Sequence, residues 1–260
     1  MGIWPVGKGS RLNRILTVRW SGQLTDGLFQ SALASFVLFS PERAPNAVSA
    51  ALAFAVVLLP YSLIGPYVGT FLDRFSRQRI IRNCNYLRAA NLLIIAWLIN
   101  NSSTGLILTL FVLFAFGVNR LILSGLSAGL PLLVKKEELI AANALAVTGG
   151  TIWVVIGGGI GIAIKNLLSQ SSNADFADSV VILVASAGFF TAGLATYRLN
   201  KYEIGPSENE TLDHARGYKD VLEGLKILRA HFDALVGIFA VGIQRGGITA
   251  LTLMALLLER

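Results

Sequence analysis

The stretch "GPYVGTFLDRFSRQRI" (65–80) places one acid, Asp73, and three arginines, Arg74, Arg77 and Arg79, between two long apolar runs. A short basic segment flanked by apolar runs of this length reads as two membrane spans joined by a loop on the inner side of a bilayer. The rest of the composition agrees. Of 260 residues, 54% are hydrophobic and 14% charged, with a mean hydropathy of +0.64. An ordinary soluble domain carries about 25% charged residues. A soluble fold of this size would lack the polar surface to cover itself, so the solvent is lipid.

Several function classes are excluded on the same grounds. The net charge of +7 would suit nucleic acid only as a basic face on a soluble module. Here the basic residues fall between apolar runs, and no nucleic-acid partner is expected. The single cysteine, Cys84, rules out an internal disulfide and a cysteine-based metal cluster. His214 and His231 lie in or beside a polar stretch and form no metal-ligand spacing. No nucleophile–base arrangement is present, so no catalytic residue, metal or cofactor is expected and the chain does not read as an enzyme. A membrane-embedded enzyme would need paired acids, a metal triad or a nucleophile within the bilayer, and only one carboxylate, Asp26, falls near the middle of a span. The N-terminal "MGIWPVGKGSRLNR" has neither the apolar core nor the cleavage site of a signal peptide.

Working outward from the loop, a membrane helix needs about 20 apolar residues, and seven runs qualify. They cover 15–40, 46–71, 79–99, 104–134, 139–168, 179–197 and 232–257. Polar turns separate them: "SPERAP" (40–45), "NNSST" (100–104), "VKKEEL" (134–139) and "SQSSNADFADS" (169–179). The long polar segment lies at 198–231. Basic residues mark the cytoplasmic side. With the N-terminus inside, seventeen of the 22 lysines and arginines fall in inner segments, and only Arg43, Lys165 and Arg260 in outer ones. That tally assigns Arg74, Arg77, Arg79, Arg82 and Arg88 to the inner loop between spans two and three. The expected location is the inner (cytoplasmic) membrane, multi-pass, with a cytoplasmic N-terminus and the lipid bilayer as partner.

Asp26, Arg120 and Arg245 fall near the middle of predicted spans one, four and seven. An ionised side chain at a helix centre costs about 2.5–3.5 kcal/mol on insertion scales, so these residues should face a cavity or one another. Arg19, Gln23, Asp26 and Gln30 are spaced by four, three and four, which puts them on one helical face. Arg120 with Ser124 and Ser127, and Arg245 with Thr249 and Thr252, repeat the spacing. Gly65 with Gly69, and Gly157 with Gly161, permit close helix contact. Pro60 and Pro66 bracket the end of span two and would kink or end it. Trp20, Trp97 and Trp153 read as interface anchors or lipid contacts. Residues 216–231 put Val221, Leu222, Leu225 and Leu228 on one side and read as an interfacial helix on the inner leaflet.

"GTFLDRFSRQR" (69–79) resembles the signature loop of the major facilitator superfamily, which joins spans two and three on the inner side. Gly69, Asp73, Arg74 and Arg77 match its pattern, while Ser76 stands where the family has a second glycine and Gln78 where it has a basic residue. "NRLILSGLSAGLP" (119–131) resembles the fourth helix of that family, which carries an arginine in mid-membrane. "GGTIWVVIGGGIGIAI" (149–164) resembles the glycine-rich fifth helix of its drug–proton antiporters, without the Gly-Pro pair of the strict motif. "YKDVLEGLKILRAH" (218–231) resembles the segment leading into helix seven of multidrug and macrolide-efflux-like members.

The resemblance implies an all-α polytopic fold: a six-helix N-terminal bundle (1–197), a cytoplasmic linker with an amphipathic helix (198–231), and a seventh helix opening a second half (232–260). The family has twelve helices, so a chain of seven reads as truncated or split, with a separate chain as one source of the missing helices. The resemblance further implies a secondary transporter that exports small molecules against proton entry by alternating access, with substrate near the midplane. Spans one, four and seven line the cavity in this family, so Asp26, Gln23, Gln30, Arg120 and Arg245 are its expected coupling and substrate-path residues. Three readings of Asp26 and Arg120 stay open: an ion pair that only locks helix packing, a pair that opens when Asp26 takes a proton, and direct substrate contact. Gly69, Asp73, Arg74 and Arg77 are the implied cytoplasmic gate. The rival expectation is a transport-inactive membrane fragment that needs a partner chain.

Overall fold

The computed structural model describes residues 11–34, 68–69, 71–102, 105–169, 173–206 and 218–258. Seven long helices appear there: α1 (Arg11–Leu33), α2 (Arg77–Asn100), α3 (Leu106–Gly129), α4 (Leu139–Ser169), α5 (Ala174–Ala195), α6 (Tyr218–Ala230) and α7 (Phe232–Leu258). Residues 68–69 and 71–74 are helical as well, but most of expected span two (46–71) lies outside the described residues. No strand occurs among the described residues. In lipid every backbone polar group must be paired within the protein, and a helix does this within its own segment.

Three stretches, Leu106–Leu132, Lys136–Leu168 and Ala174–Arg198, are long and apolar enough to cross a membrane. Helices α1 and α2, of 23 and 24 residues, have the length. Their composition is more polar because Arg19, Asp26, Asn85, Arg88 and Asn91 are built into their buried faces. The last bundle helix starts earlier than the sequence suggests, at Ala174 instead of 179, which brings Asp178 inside the helix.

Helix α1 packs against α4 and α5, and α2 packs against α5 and α3. The α1–α4 contact explains how a 31-residue helix tolerates six glycines between 149 and 161. Glycine in a helix costs roughly 1 kcal/mol relative to alanine, and at Gly149, Gly150, Gly157 and Gly161 α1 itself occupies the space a side chain would need. A Cβ at Gly157 would strike the backbone carbonyl of Leu24, and one at Gly27 would strike the carbonyl of Val154. Gly161 faces the Ser31 hydroxyl, and Gly149 faces the indole of Trp20. The second expected glycine pair behaves differently. Gly65 lies outside the described residues, and Gly69 is exposed with room for a methyl group.

The core is divided in two. One apolar cluster holds Leu28, Phe29, Leu92, Ile95, Val112 and Phe189 with their neighbours. The other holds Leu12, Leu16, Ile81, Ile122, Leu126 and Leu199 with theirs. Between them along the helices lie Thr25, Asp26, Asn85, Arg88 and Asn119, all buried. Helix α7 presents a contrasting surface. Phe232, Ile238, Phe239, Ile243 and Leu251 are all more than half exposed, and the helix packs mainly against its own predecessor, α6.

Candidate functional site

The polar layer is centred on an ion pair. Arg88 Nη2 on α2 donates to Asp26 Oδ1 on α1 at 2.5 Å, and the two residues are 1% and 4% exposed. Arg88 Nη1 donates to Asn119 Oδ1 on α3 at 3.1 Å, and its guanidinium lies 3.8 Å from the ring centroid of Phe189 on α5. Three helices, α1, α3 and α5, thus each contribute one contact to a single guanidinium carried by α2. The geometry satisfies the general condition for a charge within a bilayer: it faces the bundle interior and is paired.

This corrects two expectations. The ion-pair partner of Asp26 is Arg88, and Arg120 is exposed on α3. Successive residues on an α-helix turn by about 100°, so when Asn119 faces Arg88 its neighbour Arg120 points elsewhere. Arg88 is also no loop residue; it lies in the middle of α2 and faces inward. Position 88 falls within the apolar 79–99 run, so its membership of a span is legible in the sequence.

The other residues of the expected path are dispersed. Gln23 is half-buried against Gly150 of α4, Gln30 is exposed on α1, and Arg245 is exposed on α7. Arg19 is buried and its Nη1 donates to Ser127 Oγ on α3 at 3.2 Å. The expected polar stripe on α1 therefore divides among neighbours: Arg19 toward α3, Gln23 toward α4 and Asp26 toward α2.

At the end of the bundle where α2 begins, Arg77 organises the 71–80 loop. It pairs with Asp73 at 2.9 Å, and its Nη1 donates to the carbonyls of Ala128 and Ile204, both at 3.1 Å. The Arg77 amide donates to Gly205 O at 3.1 Å, Ser76 Oγ donates to the Lys201 carbonyl, and Gln78 Nε2 donates to Thr196 O. The Arg77 amide bond satisfies one first-turn donor of α2 that has no partner within the helix, and the side-chain bonds tie that turn to Ala128 and to the segment after α5. Arg74 is exposed, with its guanidinium 5.6 Å from the Phe75 ring.

The segment after α5 that receives these bonds contains an acid the sequence did not single out. Glu203 is engaged by Arg14 at 3.4 Å, by Arg11 at 3.9 Å and by the amide of Asn200 at 2.8 Å. Leu199, Ile204, Gly205 and Pro206 are buried around it. A second unforeseen pair joins the opposite end of the bundle. Lys165 Nζ on α4 lies 2.5 Å from Asp178 Oδ1 on α5 and also donates to the Ser31 carbonyl of α1 at 3.4 Å.

The chain is 34% identical over 211 residues to an uncharacterized MFS-type transporter of Mycobacterium tuberculosis and, to the same degree, to one of Mycobacterium bovis. The alignment covers 81% of this chain and 47% of each relative, so the chain spans about half the length of the curated relatives it matches. No family model and no solved structure matches it. The helical architecture, the apolar spans and these similarities together identify an all-α polytopic membrane protein.

Proposed function

We propose that this chain forms the N-terminal part of a major facilitator superfamily transporter that moves small molecules across the cytoplasmic membrane by proton-coupled efflux. The observation that carries the proposal is the Asp26–Arg88 pair, set between two apolar clusters and held by four helices. The similarity to MFS-type transporters supports the transport class. Only interactions that differ between two states can drive a conformational change. Protonation of Asp26 is such a difference: it removes the charge that holds Arg88 and leaves Asn119 and Phe189 as its partners. The layer can then repack and change how the bundle meets the rest of the transporter. Gly69, Asp73, Arg74 and Arg77 are proposed as the cytoplasmic gate, with Asp73, the single acid of the loop, exposed enough to exchange Arg77 for a partner across the pathway.

Asp26→Asn in the full-length protein, reconstituted in proteoliposomes, tests the coupling. Asparagine keeps the shape and an acceptor for Arg88 but cannot change charge. Accumulation driven by a proton gradient should fall to background while substrate counterflow persists. Accumulation that still follows the gradient would remove Asp26 from the coupling step.

Orientation is tested separately. In a Cys84→Ser background, Arg43→Cys and Arg79→Cys should react with a membrane-impermeant maleimide from opposite faces of the membrane, position 79 from the cytoplasmic face. Reaction of both from one face would overturn the assigned topology. Residue 43 lies outside the described residues. A second reading, a transport-inactive fragment that needs a partner chain, draws on the exposed apolar surface of α7, and the mass of the native complex decides between the two.

A further inference from the structure

We infer that the cavity beside the 71–80 loop is a binding site for an anionic phospholipid, with one acyl chain entering the cavity and the phosphate held by Arg79 and Arg74. The cavity measures ≈ 340 Å³, near the lower end of the roughly 300–1,000 Å³ typical of small-molecule pockets. That is room for part of a chain, not for a whole lipid. Phe71, Phe75, Ile80 and Cys84 form its apolar wall, and Arg79 and Asn83 stand among its lining residues. The rings of Phe71 and Phe75 lie 5.2 Å apart at a tilt of 55°, and both are nearly half exposed. Arg74 reaches over the outer ring of the same pair.

Charge complementarity selects the occupant. Arg79 is exposed at the cavity, and among the described residues neither it nor Arg74 has a carboxylate within ion-pair distance, since Asp73 is taken by Arg77. Two arginines without acids beside an apolar cavity match a ligand that carries phosphate at one end and hydrocarbon at the other. A free phosphate would leave the aromatic wall bare, and a zwitterionic lipid would bring a cation next to the arginines. The site needs residues 71–80 to lie at the bilayer surface and does not depend on transport activity.

Native mass spectrometry of the full chain, released from nanodiscs containing phosphatidylcholine with a minor share of phosphatidylglycerol, tests this. The wild type should retain phosphatidylglycerol in preference to phosphatidylcholine. A basic residue near an anionic surface contributes enough that Arg79→Gln should retain about fivefold less. Phe75→Ala should also lose lipid, whereas the paired change Lys135→Gln, Lys136→Gln, on another exposed basic turn, should not. Equal retention of both lipids, or equal losses from the arginine and the lysine variants, would overturn the site, and so would displacement of the lipid by excess inorganic phosphate. A thermal shift of the wild type on adding phosphatidylglycerol, absent with inorganic phosphate, provides the same decision should Arg79→Gln prove poorly folded. Because retention is measured without transport, its failure leaves the transporter proposal standing, and loss of coupling in Asp26→Asn leaves the lipid site standing.

Discussion

Arg88→Met should destabilise the protein by about 3–5 kcal/mol, the usual effect of removing one member of a buried ion pair and leaving the other without compensation. For a chain of this size that corresponds to a melting temperature lower by roughly 10 °C, measured by fluorescence-detected size exclusion after heating. The loss comes from three contacts on one guanidinium: the Asp26 carboxylate, the Asn119 amide oxygen and the Phe189 ring. The double variant Asp26→Asn, Arg88→Gln replaces the charges with neutral groups that can still bond to each other and to Asn119. Since replacing a buried pair as a whole is often nearly neutral, it should recover at least half of the loss. An Arg88→Met protein as stable as the wild type, or a double variant no better than the single, would show that the pair is not the keystone of the layer. Combined with the transport test, the cycle separates two readings that the sequence left open. If Arg88→Met is destabilised while Asp26→Asn still couples, the pair is a packing lock and the proton is carried elsewhere.

The sequence announced this site only in part, for a physical reason. Hydropathy locates spans, and the described helices fall close to the expected runs because polar turns interrupt apolar segments. Partner choice is a different quantity, set by the rotation of each helix about its axis. Arg120 and Asn119 differ by one position, and the charged residue attracted the assignment although its uncharged neighbour faces the ion pair. Arg88 was concealed by a rule that is correct on average: clustered arginines mark a leaflet, and this one, nine residues beyond Arg79, had already entered the bundle. Glu203 and Asp178 share another cause. Each lies in a stretch that reads as solvated, and burial came from basic residues far away in sequence, Arg11 and Arg14 in one case and Lys165 in the other. No local pattern encodes such pairs. The glycines of α4 were legible because small residues at spacing four have few uses within a membrane other than close approach.

That close approach leads to the second large effect. Gly157→Leu should abolish most of the folded protein, with a cost of about 3 kcal/mol or more, at the upper end of overpacking effects. Its Cβ would meet the carbonyl oxygen of Leu24, a backbone atom that cannot rotate aside as a side chain does. The reciprocal contact, Gly27 against the Val154 carbonyl, fixes α1 on the same surface from the other direction, so neither helix can shift to relieve the clash without opening the other contact. Three positions on one helix then form a graded series. Gly161→Ala meets the Ser31 hydroxyl, the end of a short side chain that can choose another rotamer, and should cost less than Gly157→Ala. Gly159 has nothing within 4 Å of its Cβ position, so Gly159→Ala should be neutral or stabilising, by up to about 1 kcal/mol from helix propensity alone. The measurement is folded yield and melting midpoint for the three alanine variants and Gly157→Leu in one detergent. Equal effects at 157, 159 and 161 would mean that helix propensity governs this segment and that α1 does not rest on α4 backbone to backbone. The opposite sign at 157 and 159, two residues apart on one helix, can come only from the neighbour that touches one position and not the other.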